Sequence, residues 1–536
     1  MKKLFTLAFL CLFASSTFAQ ELGDFNTNFG TDGTFLFDLS TAHDYMEKIL
    51  VQEDGKIITV GRARVGGKNY SIYVSRHNAD GSFDETYGDG GVVYLKVDPL
   101  IYMNCAFDAD LDEDGYLYIA GYTFDYTNNT AFVICLDENG FENEDYGDKG
   151  YVVSEYGGGI VYEAIDVDSK GRAVVAGYIN DQILVTRYNA KGKLDQSFAE
   201  SGTAVITFGE GTNANAFDVK VLEDGKILVA GFMIEDTGDG YYIFNSCVLR
   251  LKSSGELDTT FGDGGTLFLY AGEYAEYASA IDVQPNGKYI IAGYDELWSD
   301  TPEMPRYESY VTRVNTDGTI DETFGTEGFV KFEPFEGDGC VNYCQSIVAA
   351  SDGQIFGTLY SYNFATVASR AYTFNLNEDG QLNEEFAGSG IMALPKFADD
   401  EEEIRTTAVA LKDNKNLLVG GFIAVEDSYN LKSFISEVNV NVKVDEGNED
   451  DTTSVVGNYE NRFKIHPNPA TTTISIEGGL NDNAQVSIID LTGRCVKEIE
   501  VSDAVPTINI EDIESGVYFI SVKQNDNNFV EKLVVK

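Results

Sequence analysis

Gly255-Glu-Leu-Asp-Thr-Thr-Phe-Gly-Asp-Gly-Gly265 decides the fold, because it recurs along the chain. Gly81-Ser-Phe-Asp-Glu-Thr-Tyr-Gly-Asp-Gly-Gly91 and Gly318-Thr-Ile-Asp-Glu-Thr-Phe-Gly-Thr-Glu-Gly328 repeat it closely. Further copies start at Gly140, Gly192 and Gly380, and one opens the chain at Gly23-Asp-Phe-Asn-Thr-Asn-Phe-Gly30. Successive starts lie 52 to 63 residues apart. Between them runs a second motif, Asp224-Gly-Lys-Ile-Leu-Val-Ala-Gly231, with counterparts at Asp54, Asp114, Lys170, Asn286, Asp352 and Asp413. Asp-Gly between two apolar runs signals a hairpin, and a type I′ turn with positive φ at both central residues is expected there.

Each unit therefore reads as four strands, as in Thr203 to Phe208, Ala216 to Leu222, Lys226 to Phe232 and Tyr242 to Leu251. Four strands at this period fit a blade of a β-propeller; a parallel β-helix would need shorter coils. The last strand of the fourth kind, Ser433 to Val442, has no Gly-x-Leu-Asp copy after it. If the copy at Gly23 fills that place, seven blades close into a circle. The expected fold is all-β: a seven-bladed propeller with four strands per blade, followed by a small Ig-like β-sandwich.

These alternating motifs resemble the Delta-60 repeat, a propeller-type repeat of bacterial secreted proteins, over about 23–442. The resemblance implies architecture and assigns no catalytic residue. Residues 1–19 read as a signal peptide: Lys2 and Lys3, an apolar run from Leu4 to Ala14, then Thr17-Phe18-Ala19. The propeller takes 20–442, and an acidic linker takes 443–460. Alternating runs such as Thr473-Ile-Ser-Ile-Glu477 and Val517-Tyr-Phe-Ile-Ser-Val522 mark the sandwich at 461–536. Its landmarks are His466-Pro467-Asn468-Pro469, Asp490-Leu-Thr-Gly493, Gly516-Val-Tyr518, and Lys532-Leu-Val-Val-Lys536. They resemble the type A C-terminal sorting domain of the type IX secretion system of Bacteroidetes. That resemblance implies the type IX machinery as partner and the outer-membrane surface or the exterior of a Gram-negative cell as destination.

Composition narrows the function. The 536 residues carry 37 Lys+Arg against 88 Asp+Glu, a formal charge of −51. Such a surface repels phosphate backbones, so nucleic acid is excluded as a partner. No run after the leader reaches the ~18 apolar residues of a membrane span. Only three histidines occur, His43, His77 and His466, far apart in sequence, which argues against triads and histidine metal sites. Cys340-Val-Asn-Tyr-Cys344 is the one close cysteine pair, open to a local disulfide or to free thiols.

Candidate sites are few. Asp110, Asp112 and Asp114 look like part of a calcium loop, but Gly121 stands where an EF-hand needs Glu. A solvated strand edge and turn is the competing reading, with weak Ca²⁺ binding kept open and no other cofactor expected. Successive turns of a blade alternate faces. The Asp-Gly and Phe-Gly turns thus share one uniform face, and the opposite face collects the variable loops, where binding usually resides. Tyr45, Tyr277 and Tyr343 each lie ten residues before their Asp-Gly glycine, and Tyr162 nine before its counterpart. They read either as a ring at the mouth or as packing between blades. Trp298, Glu273, Glu276 and Asp338 sit in variable loops, and the acidic stretches Glu273 to Glu276, Glu333 to Asp338 and Asp399 to Glu403 fall on three consecutive blades. The resulting expectation is a monomeric, non-enzymatic propeller that binds an extracellular protein, glycan or cation through this face. The alternatives are a propeller-type polysaccharide lyase or glycoside hydrolase, and a structural surface component.

Overall fold

The computed structural model describes residues 21–443, apart from 41–42, 66–68, 98–102, 155–158, 210–211, 237–241, 270–274, 298–303, 398–400 and 426–429, together with strands of 464–535. The leader and most of the linker lie outside the described residues. The chain divides into two units, Met1–Asp445 and Glu446–Lys536.

Among the described residues of the first unit are seven four-stranded antiparallel sheets, here blades 1 to 7. Their innermost strands are, in order, Asp44–Val51, Met103–Leu111, Ile160–Val167, Thr212–Val221, Glu276–Val283, Cys340–Ala349 and Glu401–Leu411. Each lies against the innermost strand of the next blade, and Glu401–Leu411 lies against Asp44–Val51, so the ring is closed. The outermost strand of a blade follows the Phe-Gly motif: in blade 4, Thr266–Leu269 pairs with Tyr242–Leu251.

Blade 7 borrows its outermost strand from the N-terminus. Thr34–Phe37 pairs with Asn430–Asn439, with Thr34 opposite Ser436 and Phe37 opposite Ser433. The Gly23 copy runs ahead of it: Gly23 N donates to Asn439 O and Asn26 N to Glu437 O, each at 2.8 Å. Joining first and last strands in one sheet removes two open sheet edges.

The repeated motif is the joint between blades. In blade 1 the aspartate of the motif, Asp84, accepts from Arg76 Nε at 2.8 Å, while Arg76 Nη1 donates to Glu138 O of the following blade. The guanidinium lies 4.5 Å over the Tyr87 ring. Arg187–Asp195, Arg250–Asp258 and Arg313–Asp321 repeat this at blades 3, 4 and 5. Such a pair is worth keeping in a buried place only when its remaining donors are engaged, and here they are. Burial works against Asp258, yet bonds from Thr260 and the charges of Arg250 and Lys226 hold it down at about 2. The motif aromatics Phe29, Tyr87, Tyr146, Phe198, Phe261, Phe324 and Phe386 are all buried. Each motif also opens on a glycine for lack of room: a Cβ at Gly318 would meet the Phe261 ring at 2.8 Å.

One expectation is corrected, and one open alternative is decided. The Asp-Gly hairpins are not type I′. Gly55, Gly115, Gly225 and Gly287 have φ of 78°, 83°, 80° and 79°, but no aspartate or asparagine before them is left-handed. Gly55 N donates to Gln52 O and Gln52 N to Lys56 O, both at 2.9 Å, so a type I turn ends in a left-handed glycine. The aspartate serves through its side chain, Asp54 Oδ1 accepting from Lys56 N at 3.1 Å. Cys340 and Cys344 are free and buried. Both lie in one extended strand, Cys340–Ala349. Four residues of strand span roughly 13 Å, beyond the ~7 Å reach of a disulfide.

The second unit holds a three-stranded sheet, Lys464–His466, Thr473–Glu477 and Thr507–Asn509, and a four-stranded one built on Ala484–Asp490 and Gly516–Gln524. Ile474, Ile476, Val486, Ile488, Ile520 and Leu533 share one core between them. Tyr518 is buried there, and Asp490, Gly516 and Lys532 lie on strands. Pro467, Asn468, Pro469, Gly493 and Lys536 lie outside the described residues.

Candidate functional site at the mouth of the axial bore

Every innermost strand carries a β-bulge at the same place. The extra residues are Glu47, Phe107, Glu163, Phe217, Ser279, Gln345 and Thr407. A bulge re-aims side chains and is frequent beside functional sites. It also explains the glycine that closes Val-Ala-Gly. The strand before the bulge pushes a carbonyl toward its partner strand, so a Cβ at Gly293 would stand 2.0 Å from Tyr277 O. Gly231 faces Asn215 O, and Gly121 faces Cys105 O, in the same way.

The residue after that position lies toward the variable-loop end of its strand, and it is aromatic in six blades. The seven are Arg62, Tyr122, Tyr178, Phe232, Tyr294, Tyr360 and Phe422. They join a belt. Phe217 lies 5.3 Å from Phe232, Phe232 5.1 Å from Tyr277, Tyr277 4.8 Å from Tyr294, and Tyr294 4.7 Å from Tyr343. Tyr343 lies parallel to Tyr360 at 6.1 Å, and Arg405 sits 4.8 Å over Tyr360 and 6.0 Å from Phe422. Tyr45 meets Phe422 at 5.1 Å; Arg62 lies 4.6 Å over Tyr45 and 5.7 Å from Phe107, which stacks on Tyr122 at 5.5 Å. Glu163 and Tyr178 supply blade 3, and both influence the Tyr122 phenol, which burial pushes up to about 12. The sequence reading missed this set, although one residue after each Val-Ala-Gly was the signal.

Tyr45, Tyr277 and Tyr343 belong to the belt, half-buried, each touching an aromatic of the preceding blade. Tyr162 does not. It pairs with Gly177, one residue out of phase with the others, and a one-residue slip in a strand turns a side chain to the opposite face. It is fully buried, its hydroxyl 2.8 Å from that of Tyr188.

Inside the mouth stands a charged cluster. Glu47 lies 3.4 Å from Arg62. Glu163 bonds Asn215 and feels the charges of both Glu47 and Arg62. Glu47 and Arg62 belong to blade 1 and Glu163 to blade 3, each glutamate standing at the bulge of its blade's innermost strand. Burial raises Glu47 against the pull of Arg62. Burial carries Glu163 further, up to about 7, with the bond from Asn215 and Arg62 opposing and Glu47 adding to the rise.

Deeper in the bore, carboxylates cap the free edge of the innermost strands. Asp108, Asp166, Asp218 and Asp282 accept from Ile165, Val221, Ile281 and Ala349 N of the next blade at 2.9, 2.6, 2.7 and 2.8 Å. Lys48 pairs with Asp108 at 2.7 Å and Lys220 with Asp166 at 3.3 Å.

The proposed calcium ligands do not converge. Asp110 accepts from Val167 N at 2.8 Å, and Asp112 holds its own turn through Asp114 N, Tyr116 N and the Tyr118 hydroxyl. Asp114 is exposed, and among the described residues no group of three His, Cys, Asp or Glu suits a metal ion. Three carboxylates of the expected acidic stretches are engaged by neighbours. Glu276 is buried, 3.3 Å from Ser246 Oγ, because its strand turns it toward blade 4. Glu333 is engaged by Arg306 at 2.7 Å and Glu403 by the Tyr360 hydroxyl at 2.8 Å. Asp338 is half-buried, and Glu273 and Trp298 lie outside the described residues. His77 is a buried strand end bonded to Ser75 and Gly81.

Residues 464–536 match the family described as secretion system C-terminal sorting domain. The chain carries a sorting domain behind a β-propeller. The propeller matches a domain of unknown function, DUF5122 beta-propeller, at 52–87, 222–261 and 284–324. The sorting domain directs export to the cell surface or beyond, and no helix among the described residues is long and apolar enough to cross a membrane. The fold is similar to that of PorZ of Porphyromonas gingivalis, an essential bacterial surface component of the type-IX secretion system. Identity is 14% and TM-score 0.34, with 92% of this chain and 59% of PorZ covered. The chain thus spans little more than half the length of that relative. A protein of unknown function from Dyadobacter fermentans is 11% identical with TM-score 0.39, over 76% of this chain and all of that one. A polysaccharide lyase of family PL25, an ulvan lyase, is 12% identical with TM-score 0.42, over 76% and 96%. No curated protein matches the chain.

Proposed function

We propose that the exported propeller is a glycan-binding module whose site is the aromatic belt. The belt itself carries this reading. Tyrosine rings offer apolar faces to the C–H faces of sugars and hydroxyls to their oxygens. Tyr277, Tyr294, Tyr307 and Tyr343 crowd within 4.7–5.9 Å of their neighbours, a platform held rigid by the blades. Arg62, Arg405 and Asn215 add polar contacts around it, as ligand sites combine apolar walls with few placed polar groups. With 88 acidic residues against 37 basic ones, the protein repels anionic chains and favours neutral glycans. The test is a glycan array with the full mature chain, followed by calorimetry. Tyr294→Ala and Tyr343→Ala should each weaken binding about tenfold, the loss of roughly 1.4 kcal/mol. Retained affinity in both variants would refute the site.

A further inference from the structure

A cleft of about 660 Å³ lies between blades 3 and 4, at the end of the strands that bears the repeated turns and away from the belt. Its blade 3 wall carries Lys170, Arg172 and Arg187, and its blade 4 wall carries Glu223 and Asp224. The size is that of a small-molecule site, and the two walls have opposite charge. Arg187 is buried, its Nε donating to Asp195 at 2.9 Å and its Nη1 to Ser253 O at 2.8 Å. Its Nη2 reaches Ser197 Oγ at 3.4 Å. Arg172 stands beside it, Nε and Nη2 on Asp168 at 2.6 and 2.5 Å and Nη1 3.5 Å from the same Asp195. Two guanidinium groups thus share one carboxylate, each with one nitrogen at a long contact. Burial and the neighbouring charge of Arg172 lower the Arg187 pKa against the pull of Asp195. An incoming carboxylate would relieve that repulsion and can accept from both groups at once.

The other joints lack this combination. In blades 1, 4 and 5 the place of Arg172 is taken by Lys56, Lys226 and Lys288, which lie on the joint aspartate at 3.3, 3.5 and 2.6 Å. Lys170 occupies the turn position of Asp54, Asp114, Asp224, Asn286 and Asp352. On the facing turn, Ser253-Ser254 stands where blades 2, 5 and 6 have Glu138-Asn139, Thr316-Asp317 and Glu378-Asp379. Both exchanges take negative charge away from the guanidinium pair and leave it on Glu223 and Asp224 across the cleft.

We propose that this cleft binds a zwitterionic ligand of dipeptide or tripeptide size, its carboxylate on Arg172 and Arg187 and its ammonium on Glu223 and Asp224. A plain anion would meet the acidic wall, and a plain cation the basic one; a molecule with both charges suits both. Val167, Val221 and Leu222 line the cleft as well and offer apolar surface to the part between the two ends. The site is separate from the belt, so this inference and the glycan-binding reading stand or fall independently.

The experiment titrates the full mature chain by calorimetry with dipeptides and tripeptides of uncharged side chains, each with both ends free, N-acetylated, or C-amidated. The free peptides should bind, and blocking either end should weaken binding about tenfold or more. Arg172→Lys installs the residue of blades 1, 4 and 5, so the joint is kept, and loss of the fork should weaken binding about tenfold. Ser254→Asp installs the residue of blades 5 and 6 and should weaken it by a similar factor, about tenfold, by setting an acid beside the bound carboxylate. Glu223 is exposed, and Glu223→Gln should weaken the free peptide about tenfold while leaving the N-acetylated one unchanged. Equal binding of free and N-acetylated peptides overturns the zwitterionic ligand in favour of a plain anion. Unchanged affinity in both Arg172→Lys and Glu223→Gln, or no binding of any free peptide up to ~10 mM, overturns the site.

Discussion

The side-chain amide of Asn26 donates to the Glu437 carboxylate at 2.5 Å, in the place where blades 1, 3, 4 and 5 set an aspartate against an arginine. Glu437 holds the strand position of Arg76, and Asn26 the motif position of Asp84. The polarity is reversed only at this joint among those five, and Lys412 completes it on the other carboxylate oxygen. The N-terminal motif is thereby matched to blade 7: an aspartate at 26 would face a buried acid.

Asn26→Asp should therefore destabilise the propeller by about 2 kcal/mol, the penalty of a poorly compensated buried charge. Adding Glu437→Arg should recover most of the loss by rebuilding the pair of the other blades. Denaturant melts of the two variants and of Glu437→Arg alone check the cycle. Additive losses would mean that the two residues do not interact.

Much of the ring was legible because its joints are repeated words. The Gly-x-Leu-Asp-x-x-Phe-Gly copies mark blade interfaces, and in four of them the Asp and the aromatic ring engage one arginine in the same way. The missing word after Val442 and the spare one at Gly23 foretold closure. The site was less legible because it is assembled across blades. Tyr162 is a matter of phase: it stands nine residues ahead of its turn glycine where Tyr45 stands ten ahead of its own, and one step along a strand turns the side chain into the core. Glu276 read as surface charge because nothing local announces that Ser246 of the neighbouring blade will bury it.

The bulge and its glycine should fail together. Gly293→Ala puts a Cβ 2.0 Å from Tyr277 O and should cost about 3 kcal/mol, by overpacking against rigid backbone. It should also disturb Tyr277 and Tyr294 and weaken glycan binding. Gly55→Ala is the control. It has open space, with nothing within 4 Å, but φ is 78°, so only the left-handed strain of about 1 kcal/mol applies. Equal losses by thermal melt would refute the role given to the bulge.

Asp295 contributes one term to stability that favours acid. It is fully buried, directly between Glu276 and Glu308 across the strands, and neither oxygen finds a hydrogen bond apart from the 3.6 Å approach of Lys331. Burial raises it to about 7, Lys331 opposing and the two glutamates adding. An unfolded carboxyl titrates near ~4, so the folded chain holds the extra proton between ~4 and ~7. That contribution is full below about pH 4 and is lost as pH rises through 7. Asp295→Asn should thus stabilise the fold at pH 8, by about 2 kcal/mol, and change little at pH 4. Lys331 keeps Glu308 as its partner in the variant. A melting temperature that responds equally at both pH values would refute the buried charge.

Export should separate cleanly from folding. Among the described residues, the core of the second unit is built from Ala470 to Val535, and the seven other cores are built from residues of the propeller. The ring is closed by Thr34–Phe37 and needs nothing from the C-terminal strands. Deleting residues 464–536, the segment that matches the sorting domain, should leave the propeller's melting temperature within a degree or so of its value in the full chain. In a host with a type IX system the truncated protein should no longer reach the surface or the medium, and folded propeller should accumulate in the periplasm. Fractionation with a propeller antibody measures this. Truncated protein reaching the medium at the full-length level would show that the signal for export lies within the propeller, and a lowered melting temperature would show that the two units share stability.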